Sequence, residues 1–481
     1  MADQPAFGKK IRALRMEEGL TQAALAEKLG ISASYLNLVE HDRRPLTANL
    51  LIKLAHYFDL NIRDLAAGKD TRLEADLREV FGDPLFAGRG PEGADLRAFV
   101  ASSPDIARSV LDLYQSYVTA HESAEALAES ALDRQDIAPV DRARLSSEQV
   151  SDLIERYQNY FPELEEEAER VWTDARLDGE DLFAGLPVYL RKKYGVEVVL
   201  KKVDEMKSVM RRYDPDTKEL AISEVLRRGS RNFQIAHQVG LIACSPILDR
   251  IAVDPNLTAP GSRELCRIAL ANYFASAVLM PYDQILEAAR AVRYDLDLLS
   301  HRFRASLEQV CHRLTSLRRR GAEGVSFSMV RVDLAGNISK RFSAGGVHFP
   351  RFSGLCPLWN VHAAFLQPGR PRVQISQLPD GARFFSIART VRKHRGGYHE
   401  SEVLYAIALG CGLEAAKELV YADGIDLENV DAAVPVGITC RLCERMDCKA
   451  RAFPPIQKTL TFDENVRGIS FFAPAGGGRA E

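Results

Sequence analysis

The sequence predicts a multidomain chain: an all-α N-terminal module followed by two α+β domains. Three observations predict it. At 481 residues the chain is too long for one hydrophobic core. Residues 7–66 carry a helical apolar period, whereas residues beyond about 150 mix helical stretches with strand-like ones. All eight cysteines lie after residue 240, and three fall between Cys440 and Cys448. The expected boundaries are 1–68, a helical connector over 69–150, then 151–320 and 321–481.

Hydrophobic content of 46% and charged content of 27% are those of an ordinary globular protein. The longest apolar stretch, "ALANYFASAVLMP" (269–281), is too short to span a bilayer and contains Asn272. "MADQPAFGKK" has no apolar signal-peptide core, so a cytoplasmic, non-membrane protein is expected. A net charge of −3 argues against general coating by nucleic acid but leaves room for a local DNA-reading surface.

In the first module, Ile11, Leu14 and Leu20 begin a stripe that continues through Leu25, Ala26 and Leu29. Gly30 breaks it, and Ser32 offers an N-cap for a second helix with Leu36 and Val39 inward. Pro45 and Thr47 open a further helix through Phe58. A helix, a short Gly-containing turn and a second helix form a helix-turn-helix. Its N-terminal half offers Ser32, Ala33, Ser34, Tyr35 and Asn37 to the major groove. Gln22, at the start of the preceding helix, and Arg43 and Arg44, after the reading helix, are candidate phosphate contacts. The series "TQAALAEKLGIS…YLNLVE…R" resembles the phage-repressor (XRE, lambda-repressor-like) helix-turn-helix family over about sixty residues. Acidic residues offset the local lysines and arginines, so tight binding calls for a dimer on two half-sites.

In the connector, "FGDPLFAGRGPEGADLRAFVASSPD" reads as loops around a short helix. The next 28 residues read as a long amphipathic helix striped by Val110, Leu111, Leu113, Tyr114 and Val118. It serves as a packing strut or as a dimer seam.

In the third segment, "VEVVLKKV" (196–203) has strand composition and "RRYDPDTKELAIS" (211–223) reads as a hairpin turning at "DPDTK". "RNFQIAHQVGLIAC" (231–244) then has the cadence of a zinc-peptidase helix. A zincin needs two histidines four residues apart, a glutamate base after the first, and a third ligand from elsewhere. Counting from His237, the base position holds Gln238 and the second-ligand position Leu241. This segment, with "ANYFA…LMP", resembles the zinc-peptidase-like domains found behind helix-turn-helix modules. That family places its acidic third ligand just before the "AN" pair, where this chain has Leu270. All three requirements fail together, which argues against peptidase activity. Two readings of the vacated site follow. It is a small-molecule pocket, with His237, Gln238 and Tyr273 as candidate contacts and Arg211 and Arg212 for an anionic ligand. Alternatively it is a filled core in which His237 is a satisfied imidazole.

Beyond residue 321, "FSMVRVDLAGNISKRF" and "PRVQISQLPDGARFFSIARTV" read as strands joined by Gly-containing turns, and "EVLYAIALGCGLEAAKELVY" (402–421) as a helix. Cys440, Cys443 and Cys448 are spaced C-x2-C-x4-C. Three thiolates can bind one soft metal centre but do not complete it, so a fourth is expected from Cys411 or, alternatively, Cys356. Three local cysteines plus a distant one favour a [4Fe–4S] cluster over zinc. Arg441, Arg445 and Arg451 would offset its charge.

Taken together, 8–65, "AHQVGLI", "ANYFASAVLMP", "CPLWNVH", "ARTV", "ALGCGL" and "CRLCERMDCKARAFPP" occur in the order found in short-chain fatty acyl transcriptional regulators, and the chain resembles that family along nearly its whole length. The resemblance implies a one-component transcription factor of acetate, propionate or related acyl-CoA metabolism. It also implies a region sensing CoA or an acyl-CoA, and an Fe–S cluster on the C-terminal cysteines. A homodimer or larger assembly would read half-sites about 10 bp, or a multiple, apart. The cluster would act as a structural staple or as a redox input. The opposing readings are a DNA-tethered peptidase or Fe–S lyase, and a redox-only repressor.

Overall fold

The computed structural model describes residues 11–12, 15, 20–40, 44, 50, 53–54, 57–58, 70–86, 91, 93–133, 142–177, 182–344, 347, 349–350, 354–393 and 402–454. It divides into two compact units, Met1–Ser116 and Tyr117–Glu481. Arg43, Pro45, Thr47 and the C-terminal "FAPAGGGRAE" lie outside the described residues.

In the first unit, α1 (Gln22–Leu29) is capped by Thr21, whose Oγ1 accepts from the Ala24 amide at 3.2 Å. Gly30 ends it at φ 66°, a left-handed conformation that a side chain would strain. α2 (Ala33–Glu40) starts as expected, with Ser32 Oγ accepting from the Tyr35 amide at 3.1 Å. Leu25, Ala26, Leu29, Leu36 and Val39 close over Ile11, Leu50 and Leu54 as one small core.

α3 (Asp70–Phe81), α4 (Gly93–Ser102) and α5 (Pro104–Asp133) follow. Leu73, Leu77, Val80, Leu96, Val100, Ala107, Leu111 and Tyr114 are buried. Tyr114 also donates to Asp83 Oδ2 at 2.8 Å. The expected stripe of α5 holds at Leu111 and Tyr114 but not at Leu113, which is 72% exposed. Two residues along a helix is a rotation of about 200°, so Leu111 and Leu113 cannot share a face.

Beyond α5, whose C-terminal part already belongs to the second unit, come α6 (Arg142–Arg156), α7 (Pro162–Ala175) and α8 (Leu182–Tyr194). β1 (Glu197–Lys201), the short α9 (Val203–Met206), β2 (Arg211–Asp214) and β3 (Glu219–Ser223) come next. β3 is central, parallel to β1 and antiparallel to β2, so the expected hairpin is present. Six helices follow: α10 (Arg228–Ala243), α11 (Ser245–Ala252), α12 (Ser262–Leu279), α13 (Tyr282–Ala291), α14 (Leu296–Arg302) and α15 (Leu307–Leu314). α10 and α12 meet at Gly240, where an added Cβ would stand 2.7 Å from the Phe274 ring. The glycine three residues after His237 is thus a packing requirement.

β4 (Ser328–Val332), β5 (Ile338–Phe342), the short α16 (Asn360–Ala363), β6 (Arg372–Gln377), β7 (Arg383–Lys393), β8 (Val403–Gly412) and β9 (Val434–Pro435) complete the described elements. Their sheet runs β5-β4-β8-β7-β6-β9, antiparallel except where β9 pairs with β6. The segment expected as a helix over 402–421 is instead strand β8, followed by 3₁₀ turns. β8 is an inner strand covered on both faces. Ile407, Leu409 and Cys411 enter the large core, while Ala406 and Ala408 enter a second one. A strand buried on both sides has no polar face, so its sequence shows no alternation.

Candidate functional site

The reading surface of the first unit is built from α2. Ser32, Ala33, Ser34 and Asn37 are exposed on it, and Tyr35 is half-buried with the Arg44 guanidinium 5.6 Å from its ring centroid. Beneath lies a buried charge pair, with Arg15 donating to both Glu40 oxygens at 2.7 and 3.0 Å. Gln22 is held by this network. It donates to Glu40 Oε2 at 2.7 Å and accepts from Asn37 Nδ2 at 3.1 Å. Its side chain therefore orients Asn37 and locks α1 to α2, and only its backbone stays at the helix start expected to grip phosphate.

At the peptidase-like helix, His237 and Gln238 are 3% and 4% exposed. Leu270, in the third-ligand position, is 1% exposed and part of the core. Arg211 reaches from β2 to His237 Nδ1 and to the Gln234 carbonyl. Burial, reinforced by the Arg211 charge, drives the imidazole down to about 3. It is therefore neutral, accepting from the guanidinium and donating to the Ile268 carbonyl. A permanent cation, itself pulled down to about 10 by burial, lies against the one remaining histidine of the zincin pattern. The filled-core reading describes His237.

A cleft of about 1380 Å³ in the same unit borders these helices, with Gln234 and Leu270 among its lining. Of the sequence-nominated contacts, Tyr273 lines it, whereas His237, Gln238, Arg211 and Arg212 do not. One part of the lining is apolar and comes from Phe161, Leu226, Phe233, Leu265 and Leu270. The other is basic and comes from the sheet. Eight lysines and arginines face four carboxylates among the lining residues.

Glu308, in the first turn of α15, sits at the centre of the basic part and is 7% exposed. Arg331 on β4 and Lys340 on β5 reach its Oε1 at 2.7 and 3.0 Å, and Lys393 on β7 reaches Oε2 at 2.7 Å. Burial opposes its charge, but these three cations outweigh burial and hold the carboxyl well below the usual carboxylate range. Arg341 pairs with Glu148, and Arg389 with Asp297. His312 also lines the cleft; burial and the Lys340 charge push it down to about 4, so it is neutral. Sequence reasoning missed this cleft because its groups come from α15 and three separate strands, with no local spacing to signal them.

The C-terminal cysteines form the last cluster. Cys356 is buried, and its amide donates to the Ile438 carbonyl at 2.9 Å. Burial raises its thiol, partly offset by amide donors from Gly437 and Leu358; neighbouring Cys440 and Cys443 raise it further. A Cβ on Gly437 would stand 2.8 Å from Cys443 Sγ, so this glycine admits the thiol against the backbone. Arg451, 5% exposed, ties the loop together. It donates to the carbonyls of Cys440, Cys443 and Arg445 at 2.7, 2.9 and 2.5 Å. Arg445 donates to the carbonyls of Gln377 and Leu378, and Arg441 lies over Phe453.

Cys411, the preferred fourth ligand from sequence, is in β8 with its side chain in the large core. Cys356 belongs to the other core, beside the loop. Because alternate residues of a strand face opposite ways, Cys411 is across the sheet from the loop, whereas Cys356, the alternative, is on the loop's side. Among the described residues, no three His, Cys, Asp or Glu side chains converge as they would on a bound ion. None of the described helices is long and apolar enough to cross a membrane.

Fold and sites together define a DNA-binding transcriptional regulator, in which a helix-turn-helix precedes a peptidase-like domain lacking the full zincin ligand set. Family profiles match in that order. A helix-turn-helix profile covers residues 11–65, an IrrE N-terminal-like domain profile 191–315, and one described as Short-chain fatty acyl coenzyme A regulator, C-terminal, 316–472. The HTH-type transcriptional regulator PrpR of Mycobacterium tuberculosis is 39% identical over 95% of this chain and 94% of its own length. RamB of the same species is 39% identical over 96% and 97%. The propionyl-CoA carboxylase regulator of Cereibacter sphaeroides is 38% identical over 98% of each chain. A solved Mycobacterium tuberculosis transcriptional regulator superposes with a TM-score of 0.66 at 40% identity, over 68% of this chain and 99% of its own. The chain belongs to the short-chain fatty acyl coenzyme A regulator family.

Proposed function

We propose that this regulator controls short-chain acyl-CoA metabolism in the cytoplasm and takes CoA or an acyl-CoA as its effector in the cleft of the second unit. The observation that carries the reading is the two-part lining. CoA joins a polyanionic nucleotide end to an uncharged pantetheine arm and a short acyl chain. The basic strands match the first, and Phe161, Leu270 and their neighbours match the second. Effector binding alters operator affinity through its preference for one of two states of a homodimer, or larger assembly, bound to double-stranded DNA.

The C-terminal cysteines have the donor chemistry of a four-thiolate centre. Cys356, Cys440, Cys443 and Cys448 supply four thiols, and Arg445 Nε is buried without an acceptor among the described residues. These cysteines would hold a [4Fe–4S] cluster, zinc being the alternative. Bound there, such a centre would fasten the 440–451 loop to the turn at Cys356.

The test is anaerobic purification followed by operator titrations with a panel of acyl-CoAs. A brown protein with about four iron atoms per chain, and operator affinity that shifts with at least one short-chain acyl-CoA, are the expected results. Operator affinity indifferent to every acyl-CoA would overturn the effector reading, and a colourless zinc protein would overturn the cluster.

A further inference from the structure

Three cations from three strands share one carboxylate, Glu308, inside the cleft. Glu308 comes from α15, so this ion cluster fastens a helix to the sheet across the basic part of the lining. One negative charge against three positive ones leaves the group short of anion. Arg331 is further fixed by Ser339 Oγ at 2.8 Å and by the Tyr405 ring, 4.5 Å away. Arg331 is thus held in place whether or not Glu308 is present. A cation cluster gathered on one carboxylate, with one of its cations independently fixed, is what a ligand phosphate can enter by exchange.

We propose that Glu308 is the resident anion of the effector cleft, occupying in the free protein the place of a ligand phosphate, and that a phosphorylated effector binds by displacing it. The inference rests on the effector reading above and adds its regulation. Glu308 is then a competitor: it weakens binding of any polyanion, and it converts phosphate binding into release of the first turn of α15 from the sheet. An uncharged ligand fragment gains nothing from the exchange.

The experiment is calorimetric titration of the full chain and its Glu308→Gln variant with CoA, and with pantetheine, which has no phosphate. Glu308→Gln should bind CoA about tenfold tighter while pantetheine affinity stays the same. Unchanged or weaker CoA binding, or an equal gain for pantetheine, would overturn the proposal. If Glu308→Gln does not fold, the wild-type crystal structure with CoA decides. A phosphate on Arg331, Lys340 and Lys393 with the Glu308 carboxylate parted from them supports displacement; an intact cluster overturns it. Should CoA and every acyl-CoA fail to bind wild type, the effector reading itself falls. CoA binding without the gain removes only the exchange.

Discussion

Replacing Glu165 with glutamine should be the most damaging single-atom change in the second unit. Arg313 is 1% exposed and Glu165 3%. Their bidentate pair spans 2.5 and 2.9 Å, and Tyr273 adds a hydroxyl at 2.5 Å from Oε1. The guanidinium also donates to the Met280 carbonyl at 2.9 Å and to Ser316 Oγ at 3.1 Å. Glutamine keeps the shape but removes the charge, so a buried cation is left with neutral acceptors alone. Breaking one side of such a pair costs about 3–5 kcal/mol. For a unit of this size that is a fall in Tm on the order of 10 °C. Removing both charges, as Glu165→Leu with Arg313→Met, should recover most of the loss, because no lone ion remains. Thermal unfolding followed by circular dichroism and calorimetry measures all three proteins. A Tm for Glu165→Gln within about 2 °C of wild type, or a double variant no more stable than the single one, would refute the reasoning.

In the cysteine cluster, Cys356→Ser should lose bound iron and the brown absorbance, while Cys411→Ser keeps both and loses only packing; the reverse result would reinstate the strand cysteine. On the DNA side, Asn37→Ala should weaken operator binding by about 1–3 kcal/mol and leave nonspecific binding nearly unchanged. Salt-controlled titrations on operator and random duplexes check this, and an equal loss on both would assign Asn37 to the backbone. The buried imidazoles fix the acid limb of stability. Both pKa values are depressed, His237 to about 3 and His312 to about 4. The unfolded chain therefore takes up protons below about pH 6.5 while the folded one does not, and stability present above that pH is lost as it falls, by about 1.4 kcal/mol per pH unit per histidine. His237→Gln should remove one histidine's share of that slope in urea midpoints between about pH 6.5 and 4.5. A variant with the full slope would contradict it.

The helix-turn-helix was legible because each step of it is local: the Ser32 cap, the Gly30 turn and the apolar period from Ile11 to Val39 lie close along the chain. The loss of peptidase chemistry was equally legible, since Gln238, Leu241 and Leu270 occupy positions that the chemistry prescribes. β8 was not. A run such as "YAIALGC" carries no polar alternation when both faces are covered, and periodicity alone cannot separate it from a buried helix. That error also placed Cys411 wrongly, because whether it faces the loop depends on the strand's period of two. The Arg211–His237 contact and the Glu308 cluster join residues that the chain separates widely, so only the fold reveals them.

The family boundary between the IrrE-like and C-terminal profiles falls at residues 315 and 316, yet one core runs across it. Leu314 and Leu317 pack in the same cluster as Phe327, Phe385 and Leu419. Arg293, after α13, also accepts from the Val420 amide and donates to the Leu419 carbonyl. The two profile segments therefore share one hydrophobic core. A shared core of this kind leaves no free hinge at the profile boundary. A clip at residue 320 should leave two halves that neither fold nor dissolve well apart, because each would expose its share of that common core.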